Sequence, residues 1–128
     1  MWPPPSLSIT RRSLDPLTPR RPSPPLGLGP GPCVQRHRLL PDQRLLLYSD
    51  GLTEARDAHG TLFPLDSHAR AALMAPTLDQ ALDVLLALHH QHPRHAAAAA
   101  DDLTLVLAQL ASAARAAQPS ATSSLGGA

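Results

Sequence analysis

The sequence predicts an α+β domain carried by its second half, and three observations predict it. Residues 44–49, Arg-Leu-Leu-Leu-Tyr-Ser, are a short apolar run bounded by turn-forming Pro41-Asp42 and Asp50-Gly51, the signature of a strand rather than a helix. Leu78, Leu82, Leu85, Leu86 and His89 recur at helical spacing, so they lie along one stripe of an amphipathic helix. Leu103, Leu105 and Leu107 alternate with Thr104 and Val106 up to Gln109, the period of a second strand.

Composition limits what surrounds these elements. Of 15 prolines, ten fall within residues 1–32, where they remove backbone donors and favour extended or turned chain. That segment shows neither helical nor strand periodicity, and residues 1–21 are expected to be a disordered Pro/Arg-rich arm. Charge divides at nearly the same place: six Arg oppose only Asp15 up to Leu40, and five Arg oppose nine acids beyond it, for a net +1. Trp2, Tyr48 and Phe63 are the only aromatic residues, which leaves Leu, Val and Ala to build the core. A folding unit from about residue 39 to 110 is near the size at which a core barely holds, since a 60-residue domain buries only about 60% of its unfolded surface.

The elements follow in order. Residues 44–48 make a strand whose consecutive leucines suit cover on both faces. Residues 52–56 suit one helical turn, and Asp57-Ala58-His59-Gly60 suits a hairpin loop with Gly60 at positive φ. Thr61-Leu62-Phe63 is expected as a short strand stopped by Pro64, and residues 67–74 as a short helix stopped by Pro76. Thr77-Leu78-Asp79-Gln80 has the form of a capping box, with Asp79 at the positive end of the helix dipole. The helix that it opens ends at Pro93. Residues 103–109 form the last strand, and the Ala/Ser-rich tail, 111–128, is expected to fray as a disordered end.

Several functions are excluded or disfavoured. No stretch reaches the roughly 20 apolar residues of a membrane span, and the N-terminus has no signal-peptide core, so the expected location is cytoplasmic with no membrane partner. Lone Cys33 has no second Cys for a disulfide or a zinc pattern. Arg11-Arg12 and Arg20-Arg21 lack the aromatic interleaving of a nucleic-acid surface, and no nucleic-acid partner is expected. His89, His90, His92 and His95 are clustered, but their spacing fits no structural zinc pattern and Pro93 interrupts their helix. Ser49 has no Gly-x-Ser-x-Gly frame, and Gly27, Gly29 and Gly31 open no helix as a phosphate loop does.

Carboxylates at strand ends are the better chemistry. Asp50 leaves the first strand beside Gly51, and Asp101-Asp102 enters the last. Hard divalent cations take such oxygen ligands while keeping several waters. Successive strand residues point to opposite faces, and Asp101 is in phase with Leu103, Leu105 and Leu107, so Asp101 rather than Asp102 is the candidate for a shared site.

The run RLLLYSDGLTEARDAHG, followed by DDLTLVLAQL about forty residues later, resembles the C-terminal half of the SpoIIE-like branch of the protein phosphatase 2C (PPM) family. Pro25-Leu26-Gly27-Leu28 resembles a segment that such proteins carry shortly before this strand, so the likeness spans residues 22–110. The resemblance implies part of an αββα sandwich and a metal-dependent protein serine/threonine phosphatase. Two Mg²⁺ or Mn²⁺ ions would activate a bridging water that attacks a phosphoserine or phosphothreonine in line, with no phosphoenzyme. By position, Asp50 and Asp101 match metal ligands of the family, and Gly51 allows the close turn. Residues 1–40 hold nothing like the Gly-Gly-Asp and Asp-Val-x-Gly-x-Gly blocks that supply the remaining metal-site groups. Asp42-Gln43-Arg44 stands where Gly-Asp-Arg is usual, and Pro64 where a Gly follows Phe. The expectation is a C-terminal piece whose strand 44–48 lacks its pairing partners, inactive alone, with a complementing chain as a possible partner. The alternative is a non-enzymatic protein-interaction module whose helix face, Leu78, Leu82, Leu85 and Leu86, docks on a partner.

Overall fold

The computed structural model describes residues 6–21, 24–25, 27–29, 31, 34–92 and 102–111. They form a four-stranded antiparallel sheet with helices on one face, compatible with the α+β expectation. The strands are β1 (Ser6–Ile9), β2 (Leu14–Pro16), β3 (Arg44–Tyr48) and β4 (Leu105–Gln109), in the spatial order β2-β1-β3-β4. The helices are α1 (Asp50–Thr53), α2 (Ser67–Leu73) and α3 (Leu78–Gln91). Among the described residues there is one sheet, and the two-sheet layering implied by the resemblance is not seen.

The first correction to the sequence reading is at the N-terminus. Ser6–Ile9 and Leu14–Pro16 are a β-hairpin where the Pro-rich composition suggested a disordered arm. Ser-Leu-Ser-Ile alternates polar and apolar, but a four-residue strand is too short to stand out among so many prolines. Its turn is tied by local side-chain bonds: Thr10 Oγ1 accepts from the amides of Arg12 (3.2 Å) and Ser13 (3.0 Å). Pro16 closes β2 at the sheet edge, where a residue without an N–H costs no ladder bond.

The second correction follows from the first. β3 has pairing partners on both sides, β1 with Leu7 opposite Leu46, and β4 with Leu46 opposite Leu107. In this register Leu7, Ile9, Leu46, Tyr48 and Leu107 are buried together beneath the helices. Cover on both faces of β3 is not observed: Leu47 is 44% exposed, and Val106, opposite it on β4, is 50% exposed. β4 begins at Leu105, two residues later than the alternation suggested, and Leu107 is its buried centre. The expected strand at residues 61–63 is only an isolated bridge between Arg56 and Leu62.

The helices are close to their sequence signals. Asp66 caps α2, accepting from the amides of His68 (3.0 Å) and Ala69 (3.2 Å). Thr77 caps α3 by accepting from the amide of Gln80 at 3.1 Å, one half of the expected capping box. The buried line of α3 runs through Ala81, Leu85 and His89, with Leu78, Leu82 and Leu88 packed beside it. Of the leucine stripe expected to meet a partner, Leu85 is wholly buried in the chain's own core, while Leu78, Leu82 and Leu86 are partly exposed. Ala81 was missed because a small apolar residue adds little to a pattern set by leucines.

Arg44 is only 5% exposed. Its Nε donates to Oε1 of Gln109 (3.0 Å), its directly opposed residue on β4, and its Nη1 donates to the carbonyl of Leu73 (2.7 Å) at the end of α2. A guanidinium at a helix C-terminus meets the negative end of the dipole, so the charge locks α2 to the sheet. No described helix is long and apolar enough to cross a membrane.

Candidate functional site

The site is built at the ends of β3 and β4. β3 stops at Tyr48, and Ser49 turns the chain into α1, whose first residue is Asp50. Ser49 occupies the N-cap position, yet its side chain makes no capping bond. Its hydroxyl instead donates to the carbonyl of Asp102 (3.1 Å) and accepts from the amide of Thr104 (2.8 Å). The Ser49 amide also donates to the Thr104 carbonyl at 3.0 Å. Three bonds therefore clip the Ser-Asp-Gly turn to residues 102–104, just before β4. A small hydroxyl fits this role because it can donate and accept at once.

Asp50 is exposed at the head of α1. Gly51 and Leu52 behind it are buried, so the turn is anchored while its carboxylate faces water. The anchor comes from α3. His89, only 1% exposed, places Nε2 at 3.1 Å from the Gly51 carbonyl. A carbonyl only accepts, so Nε2 carries the proton in this bond. The same ring meets Phe63 edge-on, with centroids 5.2 Å apart. Phe63 is held in turn by its amide bond to the Ala55 carbonyl (2.9 Å).

Among the described residues the histidines do not converge as a ligand set. His89 serves the Gly51 turn, and His92 Nε2 bonds the Thr61 carbonyl at 3.1 Å while its ring meets Phe63 at 5.7 Å. His90 is exposed. His95 and Cys33 lie outside the described residues.

The loop after Arg56 is ordered by Asp57, whose Oδ1 accepts from the amides of His59 (2.8 Å) and Thr61 (2.9 Å). Gly60 takes the positive φ of 81° that this turn requires. These bonds, that from Thr61 first, hold the Asp57 carboxyl below its ordinary range. Burial pushes the Tyr48 hydroxyl above its ordinary value.

Of the sequence-predicted ligands, Asp50 is described and Asp101 lies outside the described residues. Asp102 is exposed, and its backbone carbonyl is engaged by Ser49. Among the described residues no group of three or more His, Cys, Asp or Glu side chains could hold a metal ion. They offer a hard carboxylate at Asp50 but do not enclose a divalent cation, which takes six or more oxygens in an octahedral or larger shell. Sequence reasoning missed the Ser49 clip and the His89 anchor. The only available signals were a hydroxyl at a strand end and a polar residue within an apolar stripe.

No curated protein and no solved structure matches the chain. A family model described as stage II sporulation protein E (SpoIIE) matches residues 3–111. The match takes in the N-terminal hairpin as well as residues 22–110, in keeping with one sheet built from β1 to β4. The chain belongs to the SpoIIE family.

Proposed function

We propose that the chain forms one wall of a metal-dependent protein serine/threonine phosphatase site, with Asp50 and Asp101 as its metal-ligating carboxylates. The observation that carries this reading is the Ser49 clip, which holds the turn bearing Asp50 against the segment that begins at Asp102. Membership of the SpoIIE family supports the phosphatase chemistry, and Mn²⁺ or Mg²⁺ suits the oxygen donors offered. The remaining ligands would come from a complementing chain that carries the Gly-Gly-Asp and Asp-Val-x-Gly-x-Gly blocks. The substrate class is a phosphoserine or phosphothreonine protein.

The test is hydrolysis of a phosphoserine peptide with Mn²⁺, using the purified chain alone and mixed with such a complementing chain. The chain alone should give no metal-dependent turnover. The mixture should give turnover that Asp50→Ala and Asp101→Ala each abolish. Equal turnover by the wild-type and Asp50→Ala mixtures would overturn the ligand assignment, and metal-dependent turnover by the chain alone would overturn its incompleteness.

A second reading, a non-enzymatic interaction module, is favoured by the outward face of the sheet. There Leu47 and Val106 stand opposite each other, 44% and 50% exposed, an apolar pair on the open face of the sheet.

A further inference from the structure

Two Arg-bearing segments separated by twelve residues of chain meet across one cleft. Arg20 and Arg21, which follow β2, and Val34, Gln35, Arg36 and His37, which precede β3, line a space of about 610 Å³. Arg20, Arg21, Arg36 and His37 are all exposed. Among the described residues no ion pair neutralises them, and between Asp15 and Asp42 the sequence has no acidic residue. The ion pair among the described residues is His68 with Asp66, and Asp15 accepts from the Ser13 hydroxyl at 2.6 Å. A cleft walled by three permanent charges, with no ion-pair partner among the described residues, attracts anions from solution.

The form of the cleft selects among anions. Its cations are spread over two segments outside any helix or strand, Arg20 and Arg21 at a bend, whereas a lone phosphate favours convergent backbone amides or a helix N-terminus. Among its described lining residues there is no Phe, Tyr or Trp and the one ring is His37, so successive bases of a single strand lack a run of stacking platforms, and no described helix borders it to enter a duplex groove. Val34, 82% exposed, adds an apolar contact, and Gln35 adds a neutral hydrogen-bonding group. We propose that this cleft docks an extended Asp/Glu-rich segment of a partner protein, with Arg20, Arg21 and Arg36 pairing its carboxylates. The inference does not depend on catalysis at Asp50.

Fluorescence anisotropy of a labelled peptide of eight glutamates tests it, with the full chain at about 0.15 M salt. Binding should weaken as salt rises and fall at least about tenfold in Arg20→Glu/Arg36→Glu. The control is Arg11→Glu/Arg12→Glu, which makes the same charge change at exposed arginines outside the cleft and should lose less than about threefold. Circular dichroism melts verify that both variants remain folded. No binding, or equal losses in the two variants, would overturn the cleft assignment. Tighter binding of a DNA duplex or a singly phosphorylated neutral peptide would overturn the choice of partner. Self-association of the wild-type chain, lost in Arg20→Glu/Arg36→Glu, would give the cleft to a second copy and overturn it equally.

Discussion

Replacing His89 with Phe removes the bond that anchors the candidate site. The ring stays aromatic and can keep its edge contact with Phe63, but the donor 3.1 Å from the Gly51 carbonyl is lost. Gly51 is buried, so its carbonyl has no ready access to water, and an unsatisfied buried acceptor costs about 1–3 kcal/mol. Taking about 2 kcal/mol, and about 4–8 °C per kcal/mol for a domain of this size, the midpoint of thermal unfolding should fall by roughly 10 °C. His89→Ala also forfeits the aromatic contact, about 0.5–1.5 kcal/mol, and leaves a cavity between α3 and the sheet, so its total loss should be about 3–5 kcal/mol. Urea denaturation followed by circular dichroism gives both values. A Phe variant within about 0.5 kcal/mol of wild type would refute the anchoring role of the Gly51 bond.

Three other outcomes follow from the same contacts. Ile9 is wholly buried on β1, so Ile9→Ala should cost about 2–5 kcal/mol in urea denaturation, whereas Ser8→Ala on the opposite face should cost little; equal, small effects would show that the hairpin is not part of the core. Arg44→Lys cannot reach both Gln109 and the Leu73 carbonyl with one ammonium, and should cost about 1–2 kcal/mol by the same measurement; a change within error would show that the forked contact is not needed. Amide bonds, that of Ala69 first, hold the Asp66 carboxyl below its ordinary range. Its stabilising effect is therefore complete above the unfolded-state value of about 3.9 and is lost as pH falls through the lower folded-state value. Asp66→Asn, which can still cap α2, should flatten the fall of urea midpoint below about pH 4, and an unchanged slope would contradict this.

What could be read from sequence depended on pattern length. α3 has fourteen residues and an explicit cap, so its bounds were legible, and of its buried line Leu85 and His89 but not Ala81. β3 and β4 were legible from leucine runs, although the exposure of Leu47 was not, since a run of leucines does not reveal whether its second face is covered. β1 has only four residues among prolines, and its placement between β2 and β3 is a long-range pairing that no local window contains. At the site, the turn bearing Asp50 was visible from Asp-Gly beside a strand end. The Ser49 clip spans more than fifty residues of chain, and the His89 anchor joins α3 to α1. Both are tertiary bonds made by residue types with many bland uses.

The most direct test of Asp50 and Asp101 as paired ligands is Mn²⁺ binding by the full chain, read from loss of the free-ion signal in electron paramagnetic resonance. Mn²⁺ should bind weakly, and Asp50→Asn and Asp101→Asn should each lower the apparent affinity by about tenfold while leaving the urea midpoint unchanged. Both variants binding Mn²⁺ as the wild type does would contradict the assignment.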